Sequence, residues 1–285
     1  MVKKIKILSK IFIKDYFQNL YIFNKDTKKI NKKSVAVWLA IISIITMGLL
    51  SFQIIDFLEK AGQEILFLKI YLLILATVFI FQAILVCTNV FYFSKDLEYI
   101  LPLPIKPIEL LISKFNNVIS ITYGMELLLL FVPLVIYGML TVKPVLYYFM
   151  VPLVLLIFPV FLILIVSTIM LLIMQLTKFI KNKDIFQIII VTILTFILTS
   201  AEIYAFNSIF GEKIINIENT QNIEIETAEI SLQNLNNKID KLNNYFIIIN
   251  PCISLVTELN FNNIVIQILK LLLLLLVIMN LMINI

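Results

Sequence analysis

Long apolar runs recur along the whole chain and are separated by short polar connections. Each run supplies the roughly 20 residues that an α-helix needs to cross about 30 Å of hydrocarbon. A helix on the surface of a soluble protein would instead carry polar residues along one face. The pattern predicts an all-α, polytopic integral membrane protein with about six transmembrane helices. The predicted spans are residues 34–55, 66–93, 118–140, 145–176, 185–206 and 263–285.

Residues 1–33 form a basic segment before the first span. Four lysines recur there every three or four positions and share one helical face: Lys3, Lys6, Lys10 and Lys14. Ile5, Leu8 and Phe12 fall towards another face. This pattern predicts an N-terminal amphipathic helix on an anionic membrane surface, with membrane lipids as partners. The alternative is a basic tail in solution.

The longest polar connection, residues 207–262, contains a second amphipathic pattern. Starting at Ile225, apolar residues are spaced three or four positions apart: Ala228, Leu232, Leu235, Ile239, Leu242 and Phe246. Acidic residues lie near the start of this stretch and lysines near its end, which complements the helix dipole. We therefore expect an extracellular amphipathic helix over about 222–246 that packs on the spans or on a partner. The alternative is a disordered, asparagine-rich loop.

Composition and charge refine this picture. Apolar residues make up 61% of the chain and charged residues 14%, whereas soluble domains are about half apolar and a quarter charged. With the N-terminus inside, the inner connections and the N-terminal segment hold sixteen lysines and the outer connections hold six. Lysine and arginine accumulate on the cytoplasmic side. The chain is therefore expected in a bacterial plasma membrane with both termini cytoplasmic.

Catalytic chemistry has little support in the sequence. There is no histidine, no Walker motif, no zinc-protease motif and no nucleophile elbow, and the chain has only five glycines. Cys87 and Cys252 have no neighbouring cysteine that would suggest a metal or redox motif. We expect no catalytic residue, no metal site, no cofactor bound by this chain and no nucleic-acid partner.

Two ionisable residues fall inside predicted spans, Glu126 in the third and Lys270 in the sixth. Charges at membrane depth are costly and usually face the protein interior. They are candidates for a Glu126–Lys270 ion pair or for a contact with substrate. For Lys270 the favoured alternative is that its long side chain reaches the outer interface.

The connection after the second span, residues 94–117, is rich in proline and charge. Pro107 is well placed as the first residue of a helix, with Glu109 in the first turn and Lys114 near the end. This helix would run into the third span. We expect an ordered cytoplasmic elbow, and the alternative is a proline-rich segment that only shapes the turn.

The segment FYFSKDLEYILPLPIKPIELLISKF, residues 91–115, resembles the inner connection of permease subunits of bacterial ABC-2-type exporters. It is most similar to a branch from low-GC Gram-positive bacteria. The matching positions are residues 93–98, 101–104, 106–107 and 114–115. The order of a basic helix, six spans, the elbow and an outer helical region extends the resemblance over the chain.

The resemblance implies a transmembrane subunit of an ABC transporter, with export driven by ATP that a separate ABC ATPase subunit hydrolyses. In the family, the elbow contains a coupling helix that docks on the ATPase. The implied docking residues are Asp96, Leu97, Glu98, Leu101, Pro102, Leu103, Pro104, Lys106, Pro107 and Glu109.

Permeases of this branch are about twice as long and contain two six-span halves. The resemblance therefore implies a further partner, either a second copy in a homodimer or a second permease half. In the latter case this chain would correspond to the first half. The alternative function, from a different class, is a membrane scaffold or immunity protein that transports nothing.

Overall fold

A computed structural model describes the chain over residues 4–13, 32–92, 105–176, 235–244 and 246–284, with isolated residues between 189 and 203. The described residues are mostly helical, and no strand occurs among them. The principal helices are α1 (Lys32–Lys60), α2 (Glu64–Cys87), α3 (Pro107–Leu140), α4 (Val145–Leu176), α5 (Ile249–Thr257) and α6 (Phe261–Asn284). A π-helical turn, Thr88–Tyr92, extends α2.

Four helices are long and apolar enough to cross a membrane: Ile41–Lys60, Glu64–Phe91, Val145–Ile173 and Phe261–Met282. They lie at the first, second, fourth and sixth predicted spans, so the prediction of a helical membrane protein is confirmed. The third span lies in α3, whose described apolar stretch is the shorter Leu129–Leu140. The fifth span lies largely outside the described residues, and the prediction of six crossings stays a prediction.

Helix α3 occupies a central position because it packs against α1, α2 and α4. Aromatic rings join three of these helices near one end of the bundle. The ring centroids of Phe67 and Tyr137 are 6.1 Å apart, and those of Tyr137 and Tyr147 are 6.2 Å apart. Gly138 makes room for the Tyr147 ring, since a Cβ at this position would overlap it. Small residues permit such close approach of helices in membranes.

Two ion pairs gather the connections at that same end. Lys143 Nζ, after α3, lies 2.8 Å from Glu64 Oε1 at the start of α2. Lys69 Nζ lies 2.5 Å from Asp240 Oδ1. Described residues of the three connections predicted on the outer side, within 56–69, 141–144 and 235–244, therefore meet at one end of the bundle. Helices α1 and α3 run towards this end, and α2 and α4 run away from it.

Both amphipathic patterns coincide with helical structure. Residues 4–13 are helical, with Leu8 and Phe12 buried and the described lysines exposed. Residues 235–243 are helical, and Leu235 and Ile239 are buried in the core of the bundle. The second half of the predicted 222–246 helix thus packs on the spans, while 222–234 lies outside the described residues. The membrane-surface position of 4–13 stays a prediction.

Candidate functional site

The elbow is described only where it joins the helices. Helix α2 ends in the π turn Thr88–Tyr92, and α3 begins at Pro107. Of the predicted docking residues, Lys106, Pro107 and Glu109 are described. The others lie outside the described residues: Asp96, Leu97, Glu98, Leu101, Pro102, Leu103 and Pro104.

The start of α3 is fixed by backbone chemistry. Pro107 is the first helical residue, where its fixed φ suits the helix and its missing N–H leaves no bond unmade. The Glu109 N–H donates to the Lys106 carbonyl over 2.9 Å. In return, the Lys106 N–H donates to Glu109 Oε2 over 3.2 Å. This reciprocal pair stops the chain from fraying at the corner and confirms the predicted helix start.

Burial separates the described docking residues into two groups. Lys106 and Pro107 are exposed, so they are available to a partner. Glu109 is only 4% exposed, and its carboxylate is engaged with the helix start. Ile108, which the sequence did not single out, is 45% exposed between them. The accessible surface at the start of α3 is therefore formed by Lys106, Pro107 and Ile108. Glu109 is buried and stabilises this helix start through its hydrogen bond to the Lys106 N–H.

Lys114 links the two sides of the elbow. Its side chain is 3% exposed, and its Nζ donates to the carbonyl oxygen of Val90 over 3.0 Å. Val90 lies in the π turn, and such turns occur frequently at functional sites. The sequence placed Lys114 near the end of a short helix and missed this contact. The available signal was its four-residue spacing from Val118, Thr122 and Glu126 along one face of α3.

An apolar cluster surrounds this link. Val90, Phe91, Phe115 and Val118 are buried in it, together with residues of α4 and with Met282 of α6. The two ends of the elbow therefore pack in a cluster to which four helices contribute, at the end of the bundle opposite the Lys143–Glu64 ion pair.

Glu126 and Lys270 are not paired with each other. Glu126 is 0% exposed, and neither carboxyl oxygen has a hydrogen-bond partner among the described residues. Lys270 is exposed and lines a pocket of about 400 Å³ with mixed polar and apolar walls, together with Lys69, Glu258 and Gln267. Because Lys69 belongs to the end that holds the ion pairs, Lys270 lies towards that polar end.

Metal-binding clusters and reactive cysteines were the other chemical features considered for a functional site. In the part of the chain that the structure describes, no group of three or more His, Cys, Asp or Glu side chains could hold a metal. Cys87 and Cys252 are both free and buried. Burial raises the pKa of the Cys252 thiol, which keeps it protonated and poorly reactive.

The described residues thus present two unusual features: an elbow fastened at both of its ends, and an acid enclosed in the middle of the bundle. Comparisons of the chain with protein-family models, characterised proteins and solved structures found no match.

Proposed function

We propose that this chain is the membrane-spanning permease subunit of an ATP-driven ABC exporter and that it couples a separate ATPase subunit to export. The observation that supports this most directly is the buried Lys114–Val90 link across the elbow. A partner that pushes on the elbow would move α2 and α3 together. An elbow without this link would absorb the same movement.

The bundle offers a path for the movement beyond the elbow. Helix α3 extends over 34 residues and is the proposed lever, although Pro133 inside it leaves the Leu129 carbonyl without its helical donor. The Tyr71 hydroxyl of α2 donates to the carbonyl of Leu129, and the Tyr123 hydroxyl of α3 donates to the carbonyl of Leu156 in α4. The Tyr147 hydroxyl donates to the Leu134 carbonyl over 2.6 Å. These bonds tie the lever to the helices on both sides.

In the proposed exporter, the permease and the ATPase subunit have different roles. ATP binds to the partner, since this sequence contains no phosphate-binding loop. The elbow and both termini face the cytoplasm of a bacterium, where the ATPase is available. Helices α1 and α6 expose many large apolar side chains. These faces suit lipid contact or a second copy or second permease half.

Charge reversal in the elbow tests the proposal. The chain is purified from its native membranes, any co-purified Walker-motif ATPase is identified and quantified, and ATP-driven export is measured with that subunit. Asp96→Lys with Glu98→Lys should remove most of the bound ATPase. Asp56→Lys with Glu59→Lys makes the same charge change at the opposite end of the bundle and should leave binding unchanged.

Loss of elbow rigidity tests the same proposal without a change of charge. Pro102→Gly with Pro104→Gly should lower both ATPase binding and export, because both prolines belong to the predicted docking segment and their loss loosens the corner. Pro144→Gly, in the turn between α3 and α4, is the matched control. The coupling assignment is wrong if elbow and control variants bind ATPase and export alike. Absence of any co-purified ATPase would favour the scaffold or immunity protein.

A further inference from the structure

Glu126 lies on the fully enclosed face of α3. Residues at the same helical spacing along this face are also buried: Val118, Thr122, Leu130, Leu134 and Tyr137. The Glu126 side chain is 0% exposed, and both its oxygens lack a hydrogen-bond partner among the described residues. A carboxylate without a partner in apolar surroundings is far more costly than the neutral acid.

The helices packed against α3 bring no positive charge to Glu126. Helix α1 has no charged residue between Ser34 and Ile55, and α4 has none at all. In α2 the charged residues are Glu64 and Lys69, which are paired with Lys143 and Asp240 at one end of the bundle.

The titratable groups nearer to Glu126 are engaged elsewhere. Lys114 of α3 lies three turns away and donates to the Val90 carbonyl in the π turn. Three tyrosine hydroxyls donate to backbone carbonyls: Tyr71 to Leu129, Tyr123 to Leu155 and Leu156, and Tyr147 to Leu134. The buried hydroxyl of Tyr137 has no hydrogen-bond partner among the described residues, and this tyrosine lies about three turns along α3 from Glu126, beside the rings of Phe67 and Tyr147. Of the remaining groups on these helices, Cys87 contacts Ser167 and the Tyr148 ring stacks edge-on with Tyr147. No described group neutralises the acid.

Size limits the cation that could neutralise Glu126. The side chain presents no surface to a water-sized probe, so a hydrated metal ion or an organic ammonium group has no room beside it. A proton needs none, because it is bound covalently to the carboxyl oxygen.

We propose that Glu126 is a proton-binding site inside the bundle. Its carboxyl is a neutral acid while α3 is packed against α1, α2 and α4, and it releases its proton when that packing opens to water. The site couples proton release to helix separation, whichever partner or signal drives the separation. It therefore does not depend on the exporter assignment.

Infrared spectroscopy of the purified chain in lipid tests the proposal directly. The C=O stretching band of a protonated carboxyl should be present at pH 7 in the parent chain and reduced in Glu126→Gln, which is nearly isosteric. Glu64→Gln is the matched control, since it removes a carboxylate that is ion-paired with Lys143. It should leave the acid band unchanged.

The pH dependence of stability gives a second, independent readout. In the unfolded chain, Glu126 is ionised at any pH above the ordinary pKa of a carboxyl group. In the folded chain it keeps its proton. Stability of the parent should therefore fall as the pH rises above the ordinary pKa of a carboxyl group. The folding constant of Glu126→Gln relative to the parent should rise by up to about tenfold per pH unit until the folded chain also loses the proton. Glu64→Gln should show no such rise.

The proposal is overturned if Glu126→Gln leaves the acid band intact and its stability relative to the parent is constant with pH. That result would mean that Glu126 is ionised in the folded chain. If Glu126→Gln fails to fold, Glu126→Asp provides the same test. A protonated aspartic acid at this position shifts the acid band, whereas an ionised carboxylate gives no acid band and therefore no shift.

Discussion

Gly138 shows how much a single position can decide in this bundle. The Tyr147 ring of α4 lies directly against the backbone of α3 at this glycine. The ring then reaches the Leu134 carbonyl with its hydroxyl and contacts the Tyr137 ring. The absence of a side chain at one position therefore permits a hydrogen bond and an aromatic contact between two helices.

Gly138→Ala is expected to destabilise the protein by about 1–3 kcal/mol, because the new methyl group must displace a buried ring. Gly48→Ala is the matched control in another helix, since its Cβ would meet Ile136 at 3.6 Å, an ordinary contact. It should not destabilise the protein and can raise its stability by up to about 1 kcal/mol, because Ala is the better helix former. Thermal unfolding in detergent measures both, and equal midpoints would contradict the assigned packing.

Sequence reasoning identified the right unusual residues but not their surroundings. Glu126 stood out because an acid interrupts an apolar run, yet its burial depends on the rotation of α3 relative to three neighbours. Glu109 was predicted in the first turn of a helix, which is confirmed, but the surface it occupies was not predictable. Hydropathy records what a residue is and carries no information about which helix face meets another helix.

At the scale of elements, helix extents were predicted best where composition changes sharply. The fourth span, predicted at residues 145–176, coincides with α4. The first was predicted to end at residue 55, but α1 continues to Lys60. The extension is stabilised by the Asp56–Lys60 pair at 2.6 Å, one turn apart. A hydropathy criterion stops at the first charged residue and misses such a pair.

The link between α2 and α3 is the element-scale feature with the clearest test. Lys114→Met keeps the length and the apolar part of the side chain but removes the donor to Val90. We expect a loss of about 1.5–3 kcal/mol, typical of a hydrogen bond from a charged group. Lys106→Met is the control because Lys106 is exposed and its fold contacts are made by its backbone.

Thermal unfolding of both lysine variants in the same detergent provides the comparison. Lys106→Met should lie within about 0.5 kcal/mol of the parent. A Lys114→Met variant as stable as the parent would show that the ammonium group contributes nothing to holding the elbow. The π turn itself had no sequence signal, because it depends on one inserted residue within an otherwise helical run.

For the whole molecule, the two ends of the bundle differ in the contacts that hold their connections. Lys143–Glu64 and Lys69–Asp240 gather three connections at one end, and Lys114 marks the other. The alternation of the connections between the two ends was predictable from the succession of spans, whereas the cytoplasmic assignment from lysine counts stays a prediction. Contacts between the ends of distant segments, such as Lys69 and Asp240, were not predictable because they depend on how the helices are arranged around α3.

Cysteine labelling in intact cells tests this arrangement. Glu59→Cys and Val142→Cys are exposed at the same end and should react with a membrane-impermeant maleimide. Lys106→Cys should react only after permeabilisation. The parent chain, whose Cys87 and Cys252 are buried, provides the blank. If only one of Glu59→Cys and Val142→Cys reacted in intact cells, the two residues would not share an end. If Lys106→Cys reacted in intact cells and the other two only after permeabilisation, the orientation would be inverted.

The enclosed position of Glu126 also bears on how the protein is made. A translocon releases a nascent segment into lipid according to its own transfer free energy, and an acid near the centre of a helix costs about 2.5–3.5 kcal/mol in that step. Helix α3 carries this acid, while α1 and α2, synthesised before it, carry none at the same depth. We expect α3 to stay at the translocon until it packs against α1 and α2, and to enter the lipid together with them. Biogenesis would then be cooperative, with tertiary packing preceding membrane entry.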